Sequence, residues 1–151
     1  VRNFARTPQS NDTGQIRAVA SGECQIAVVN TYYLARLAAS DDPADLAVAA
    51  AVGIVFPGQQ GNGTHVNISG AGVVSTSPNR DNAIRFLEYL TSERAQSLFA
   101  DGNNEYPAVP SVGASSTVAA LGAFKEDQLN ATELGIHQST AIMVFDRAGW
   151  Q

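Results

Sequence analysis

The stretch 23-ECQIAVVNTYYLARLAAS-40 carries two readings in one line. Its first half, CQIAVV, is a short apolar run, right for a strand buried on both faces of a parallel sheet. Asn30 then suits the cap position of a helix whose apolar stripe is Leu34, Leu37 and Ala38. A strand that passes directly into a helix is half of a crossover unit, so the chain reads as α/β. Tyr32 and Tyr33 fall in the first turn of that helix. In open α/β sheets, ligands collect at the carboxyl ends of strands, beside the helix N-termini.

The neighbouring segments extend the pattern. NDTGQIRAVASG (residues 11–22) predicts a short helix capped by Asn11 or Asp12, striped by Ile16, Val19 and Ala20, and ended at Gly22. The proline of DDP ends the tyrosine helix, ADLAVAAAV adds a small one, and GIVFP is a further strand. GQQGNG reads as a mobile loop. THVNISGAGVVST predicts a long strand, with Gly70 and Gly72 marking a bend or bulge in its interior. Ser77-Pro78 opens a helix with serine as cap and proline in the first position, followed by Ile84, Leu87 and Leu90 at helical spacing. Ser92 starts another, carrying Ala95, Leu98 and Phe99 and stopping at Asp101-Gly102. NNEYPAVPSVG is a loop, and STAIMVFDRAGW predicts a final helix with Ile142 and Phe145 on its apolar side.

Composition narrows the function classes. A chain of 151 residues is long enough for a core of its own, and 44% apolar residues is ordinary for a globular protein. Fourteen acidic residues against 9 basic ones give a net charge of −5. With no Lys/Arg cluster, nucleic acid and anionic membranes are poor partners. The one cysteine, Cys24, lies in an apolar run and reads as a buried small hydrophobe. The opening VRNFARTPQS has no apolar leader segment; with no initiating methionine, it reads as the middle of a longer or processed protein.

The two tyrosines are the strongest chemical feature. Adjacent helical residues point about 100° apart, which separates two rings in mid-helix. At a helix tip both hydroxyls can swing over the end and converge. A phenol ionises near pH ~10, and the helix dipole contributes only ~0.3–1 kcal/mol per anion, less than one pKa unit. A bound trivalent cation supplies the rest, and hard phenolate oxygen suits ferric iron better than a soft ion. The competing reading is that the rings pack beneath the helix with satisfied hydroxyls.

Other candidates are weaker. His65 and His137 belong to no ligand-spaced cluster. SGAG lacks the third glycine of a dinucleotide loop, because Ser75 stands there. There is no nucleophile elbow, nucleophile–base pair or acidic dyad, so an enzyme is not expected. The Asn-x-Ser/Thr sequences at Asn11, Asn62, Asn67 and Asn130 read as turn and cap chemistry.

Taken jointly, NTYYLARL, GTHVNISGAGVV, FLEYLTSERAQ, NNEYP and DRAGW resemble the periplasmic ferric-iron-binding proteins of ABC transporters, most closely the cyanobacterial and marine type. The resemblance covers nearly the whole chain. It implies a partial type II periplasmic-binding-protein fold: one α/β lobe plus part of the other, with a hinge-crossing strand. The implied division is residues 1–66 as metal-site lobe portion, 67–76 as hinge-crossing strand, and 77–151 as helical portion packing on the other lobe. Tyr32 and Tyr33 would be ligands of Fe3+, Asn11 and Asn30 would contact a synergistic anion such as carbonate or phosphate, and Gly70 and Gly72 would let the hinge bend. The partner would be an ABC transporter permease and the location the periplasm. The family's remaining ligands lie in an amino-terminal part this chain lacks. Tyr89 and Tyr106 match no ligand position, so half a site and loss of tight binding are expected, with self-association through lobe-facing surfaces. The alternatives are a binding protein for an anion or organic solute, or a piece without independent ligand binding.

Overall fold

The computed structural model describes residues 11–150. The opening VRNFARTPQS, with the reading placed on it, and Gln151 lie outside the described residues. Among the described residues seven helices follow one another: α1 (Asp12–Ala20), α2 (Thr31–Ala38), α3 (Pro43–Ala51), α4 (Arg80–Leu90), α5 (Glu93–Asn103), α6 (Ser116–Ala119) and α7 (Ala131–Ala148).

Local chemistry explains most of their boundaries. The Asn11 side chain accepts from the Gly14 N–H at 3.0 Å and caps α1, and Gly22 takes the left-handed conformation just past its end, at φ +76°. Asp42 caps α3, with Pro43 as its first residue. Ser92 caps α5 through the Ala95 N–H, and Asn130 caps α7 through Thr132. Gly149 closes α7 at φ +68°. Two expected boundaries move. α4 begins at Arg80 with Asn79 before it, because Ser77 is held in a turn by its N–H bond to the Val74 carbonyl. α5 runs past Asp101-Gly102 to Asn103, since Asn104 adopts the left-handed conformation that ends it. The sequence reading missed α6 and the first half of α7.

Among the described residues none of the expected strands at 24–29, 53–57 and 64–76 forms; the one β-bridge pairs Thr64 in parallel with Glu126. A strand needs a neighbour to take its backbone N–H and C=O groups, and among the described residues these segments have one only at Thr64. In one of these segments burial still alternates with period two: Val52, Ile54 and Phe56 are half-buried, while Gly53 and Val55 face outward. Ile26 and Val28 are 84% and 96% exposed, so the expectation of a run buried on both faces fails for the same reason. Cys24 is half-buried rather than buried.

The core is small. Helices α1, α2, α3 and α6 pack together, burying Ile16, Ala35, Leu37 and Val118; Ala38, expected in the stripe, is exposed, and Ala35 is buried instead. Arg17 pairs with Asp45, which also accepts from the Ser40 hydroxyl at 2.9 Å, tying α1, α3 and the end of α2. α4 and α5 form a second packed pair, where Ala95 and Ala100 are buried.

GQQGNG is a turn held by bonds to a distant segment. Gly58 and Gly63 adopt positive φ, and the Gln59 side chain donates to the Lys125 carbonyl at 3.0 Å and accepts from the Lys125 N–H at 2.7 Å. Thr64 bonds Lys125 and Asp127 through its backbone, each at 2.8 Å.

Candidate functional site

The site is built where the start of α2 meets the start of α1. Tyr32 and Tyr33 occupy the first turn of α2, and the Tyr33 N–H bonds back to the Asn30 carbonyl at 3.3 Å. Their ring centroids lie 4.4 Å apart with planes 39° from each other. Both side chains are half-exposed, so neither is packed away beneath the helix. The two phenols therefore converge at the helix tip despite the roughly 100° between adjacent helical positions.

Electrostatics at the pair are dominated by its own contact. The Tyr32 hydroxyl is held above the ordinary phenol value of 10.0, first by its hydrogen bond with Tyr33, then by partial desolvation, and then by the charges of Tyr33, Asp12 and Glu105. The guanidinium of Arg36 stands 5.5 Å from the Tyr33 ring centroid. Asp12 and Glu105 come from α1 and from the segment after α5, 20 and 73 positions away from Tyr32 in the chain. No local spacing in the sequence points to them, and they were missed for that reason.

The remaining expected site residues separate. Asn30 precedes α2 as expected, yet its side chain makes no cap bond. Its backbone N–H and its Nδ2 both donate to Asp12 Oδ2 at 3.2 Å, and its Oδ1 accepts from Asn67 Nδ2 at 3.1 Å. Asn11 sits beside Asp12, with its Oδ1 used on α1. Gly70 and Gly72 lie in the exposed segment between Thr64 and α4, with no heavy atom within 4 Å of where a Cβ would stand. His137 is an exposed surface residue 3.6 Å from Glu133 one turn earlier, and Tyr89 is exposed on α4.

The two phenols are hard oxygen donors suited to a highly charged cation, and the charges of Asp12 and Glu105 make their surroundings more negative. Among the described residues no three His, Cys, Asp or Glu side chains come together as a metal cluster, so the tyrosines are what distinguishes this site. Among them also, no helix is long and apolar enough to cross a membrane.

Comparison with known proteins places the chain. Residues 2–126 match the model of a family described as bacterial extracellular solute-binding protein. "Iron uptake protein A1" of Synechocystis sp. is 50% identical over 151 residues, covering 100% of this chain and 42% of that protein. "Major ferric iron-binding protein" of Neisseria meningitidis is 25% identical over 142 residues, covering 94% of this chain and 41% of its own length. Among solved structures, a Trichodesmium protein (IdiA, FutA) in complex with iron and citrate ligands matches with a TM-score of 0.92 at 53% identity, over 99% of this chain and 48% of that one. A ferric binding protein from Campylobacter jejuni matches with the same TM-score of 0.92 at 38% identity, over 99% and 47%. The chain thus spans about half the length of the relatives it matches. Its path is that of a type II solute-binding protein, an α/β fold present here in part, whose strand segments stand without their ladder partners. The chain belongs to the bacterial extracellular solute-binding protein family.

Proposed function

We propose that the chain is the tyrosine-bearing part of the ferric-iron solute-binding component of an ABC transporter, which captures Fe3+ in the periplasm and hands it to the permease without catalysis. The observation that carries this reading is the convergence of two half-exposed phenols at the tip of α2, with 4.4 Å between ring centroids. Tyr32 and Tyr33 are the iron ligands of the proposal. The iron-uptake and ferric-binding relatives support it, as does the iron bound in the Trichodesmium structure.

The other assignments share that support to differing degrees. The citrate in the Trichodesmium complex favours an anion beside the metal, for which Asn11 and Asn30 are the proposed contacts. An anion at Asn30 competes with Asp12 for the Nδ2 group. Gly70 and Gly72 are the proposed hinge in segment 67–76, between a metal-site portion to residue 66 and a helical portion from residue 77. The exposed apolar side chains of α7 and of the strand segments support self-association of the chain as it stands.

The test is a visible-light titration with chelated ferric iron. A phenolate-to-iron charge-transfer band should grow in proportion to protein and vanish in the Tyr32→Phe/Tyr33→Phe double variant, whose phenyl rings keep the packing. A band of undiminished strength in the double variant removes Tyr32 and Tyr33 as ligands. No band in the unaltered chain shows that these two phenols alone do not hold the metal.

A further inference from the structure

Asn30 spends its side chain in an unusual way. Asparagine in the position before a helix ordinarily turns its oxygen onto the helix's own free N–H groups, a bond worth about 1 kcal/mol. Here that bond is absent. The amide instead reaches backward on both sides: its Nδ2, together with the backbone N–H, donates to Asp12 Oδ2, and its Oδ1 accepts from Asn67. Three segments distant in sequence are joined in one chain of bonds, Asn67 to Asn30 to Asp12. Bonds onto a carboxylate are the stronger kind, being charge-assisted. The far end of this chain of bonds is the site itself, because the Asn30 carbonyl accepts the Tyr33 N–H.

We infer that Asp12 and Asn67 are positioning residues for the Tyr32–Tyr33 pair, acting through Asn30. Asp12 fixes the tip of α2 against the start of α1. Asn67 ties the same tip to the segment that follows Thr64. Neither touches the metal in this role; each sets where the phenol oxygens stand when the metal arrives. The inference rests on the ferric reading for its purpose, while its geometry can be tested without metal.

The variants are Asp12→Ala, Asp12→Asn and Asn67→Ala. In the metal-free chain, proton–nitrogen and aromatic NMR spectra report the Asn30 side-chain amide and the two tyrosine rings. Asp12→Ala and Asn67→Ala should each shift these resonances and leave the methyls of Ile16 and Val118 in place. Asp12→Asn retains an oxygen that can accept both Asn30 donors, and should bring the ring resonances back toward their original positions. With ferric iron added, the charge-transfer maximum should move in the two alanine variants, and iron should pass to a competing chelator about tenfold faster, the ratio expected for one ordinary hydrogen bond lost. Should Asp12→Ala disturb the Ile16 methyl and so α1 as a whole, Asn67→Ala decides the question alone. Ring resonances unmoved in Asn67→Ala, or unmoved in an intact Asp12→Ala, overturn the inference. So does an Asp12→Asn chain that stays as displaced as the alanine variant. Absence of colour in the unaltered chain counts against the ferric reading alone, and the metal-free spectra still decide the positioning.

Discussion

Tyr32 is a phenol that resists ionisation. Its hydrogen bond with Tyr33, then desolvation, and then the charges of Tyr33, Asp12 and Glu105 favour the neutral form in the folded chain. In the unfolded chain the same group titrates at its ordinary value of 10.0. Below that value both states hold the proton and the fold keeps its full stability. As pH rises past it, the unfolded state ionises first, so stability falls until the folded-state value is passed. Tyr106, raised by burial, adds a loss of the same sign. Alkaline unfolding of the metal-free chain, followed by far-ultraviolet circular dichroism, should therefore reach its midpoint at higher pH in Tyr32→Phe and in Tyr106→Phe, and higher still in the double variant. Equal midpoints in all four chains count against a raised phenol at either position. The tyrosine pair was legible in the sequence because adjacency and an asparagine just before a helix are local signals, although Asn30 turns its side chain to Asp12 and Asn67 instead of capping. Asp12 and Glu105 were not, since only the packing of α1 and of the loop after α5 brings their charge to Tyr32.

Legibility among the elements followed the same division between local and distant causes. Caps at Asn11, Asp42, Ser92 and Asn130 are written in single residues, and so is the glycine end of α1. The segment around Ile54 shows period-two burial but no ladder, because a ladder depends on a neighbour that local sequence does not supply. The glycine-rich stretch around Gly58 and Gly63 misled in the opposite direction. Its turn residues were plain, but its order comes from Lys125 and Asp127, far along the chain. A Cβ on Gly63 would meet the Glu126 backbone at 2.5 Å, which is why only glycine fits there. Gln96 does similar work for the segment carrying Glu105. Buried on α5, it donates from Nε2 to the Leu90 carbonyl at 2.8 Å and accepts the Ala108 N–H at 2.7 Å. Gln96→Ala strands both backbone groups, and should cost about 1–3 kcal/mol in urea unfolding. A loss below about 0.5 kcal/mol, under the cost of one net hydrogen bond, means water replaces the amide without loss.

At the scale of the whole molecule, helix formation and burial have come apart. α7 is the longest helix among the described residues, with caps at both ends, and it buries none of its residues. Ile136, Ile142, Val144 and Phe145 stand at least half exposed on it, and Trp150 is half exposed just beyond its end. Ile26, Val28 and Val55 add apolar surface on the strand segments. An apolar groove of about 490 Å³ also opens between α2, α3 and α6, lined by Leu34, Val52, Ile54 and Leu121 among others. Helices in proteins draw most of their stability from an apolar face packed on something else, and large exposed apolar patches find partners. For the chain alone, the available partner is a second copy. Light scattering should give a mass above that of one chain, rising with concentration, and Ile142→Lys/Phe145→Lys should return it toward the monomer by placing charge on α7. Far-ultraviolet circular dichroism on the same samples should show helix content falling as the chain is diluted, because α7 loses the face that holds it. A single monomeric mass at high concentration, with helix content independent of dilution, means that α7 stands on its caps and local bonds alone, and that self-association is not how these surfaces are satisfied.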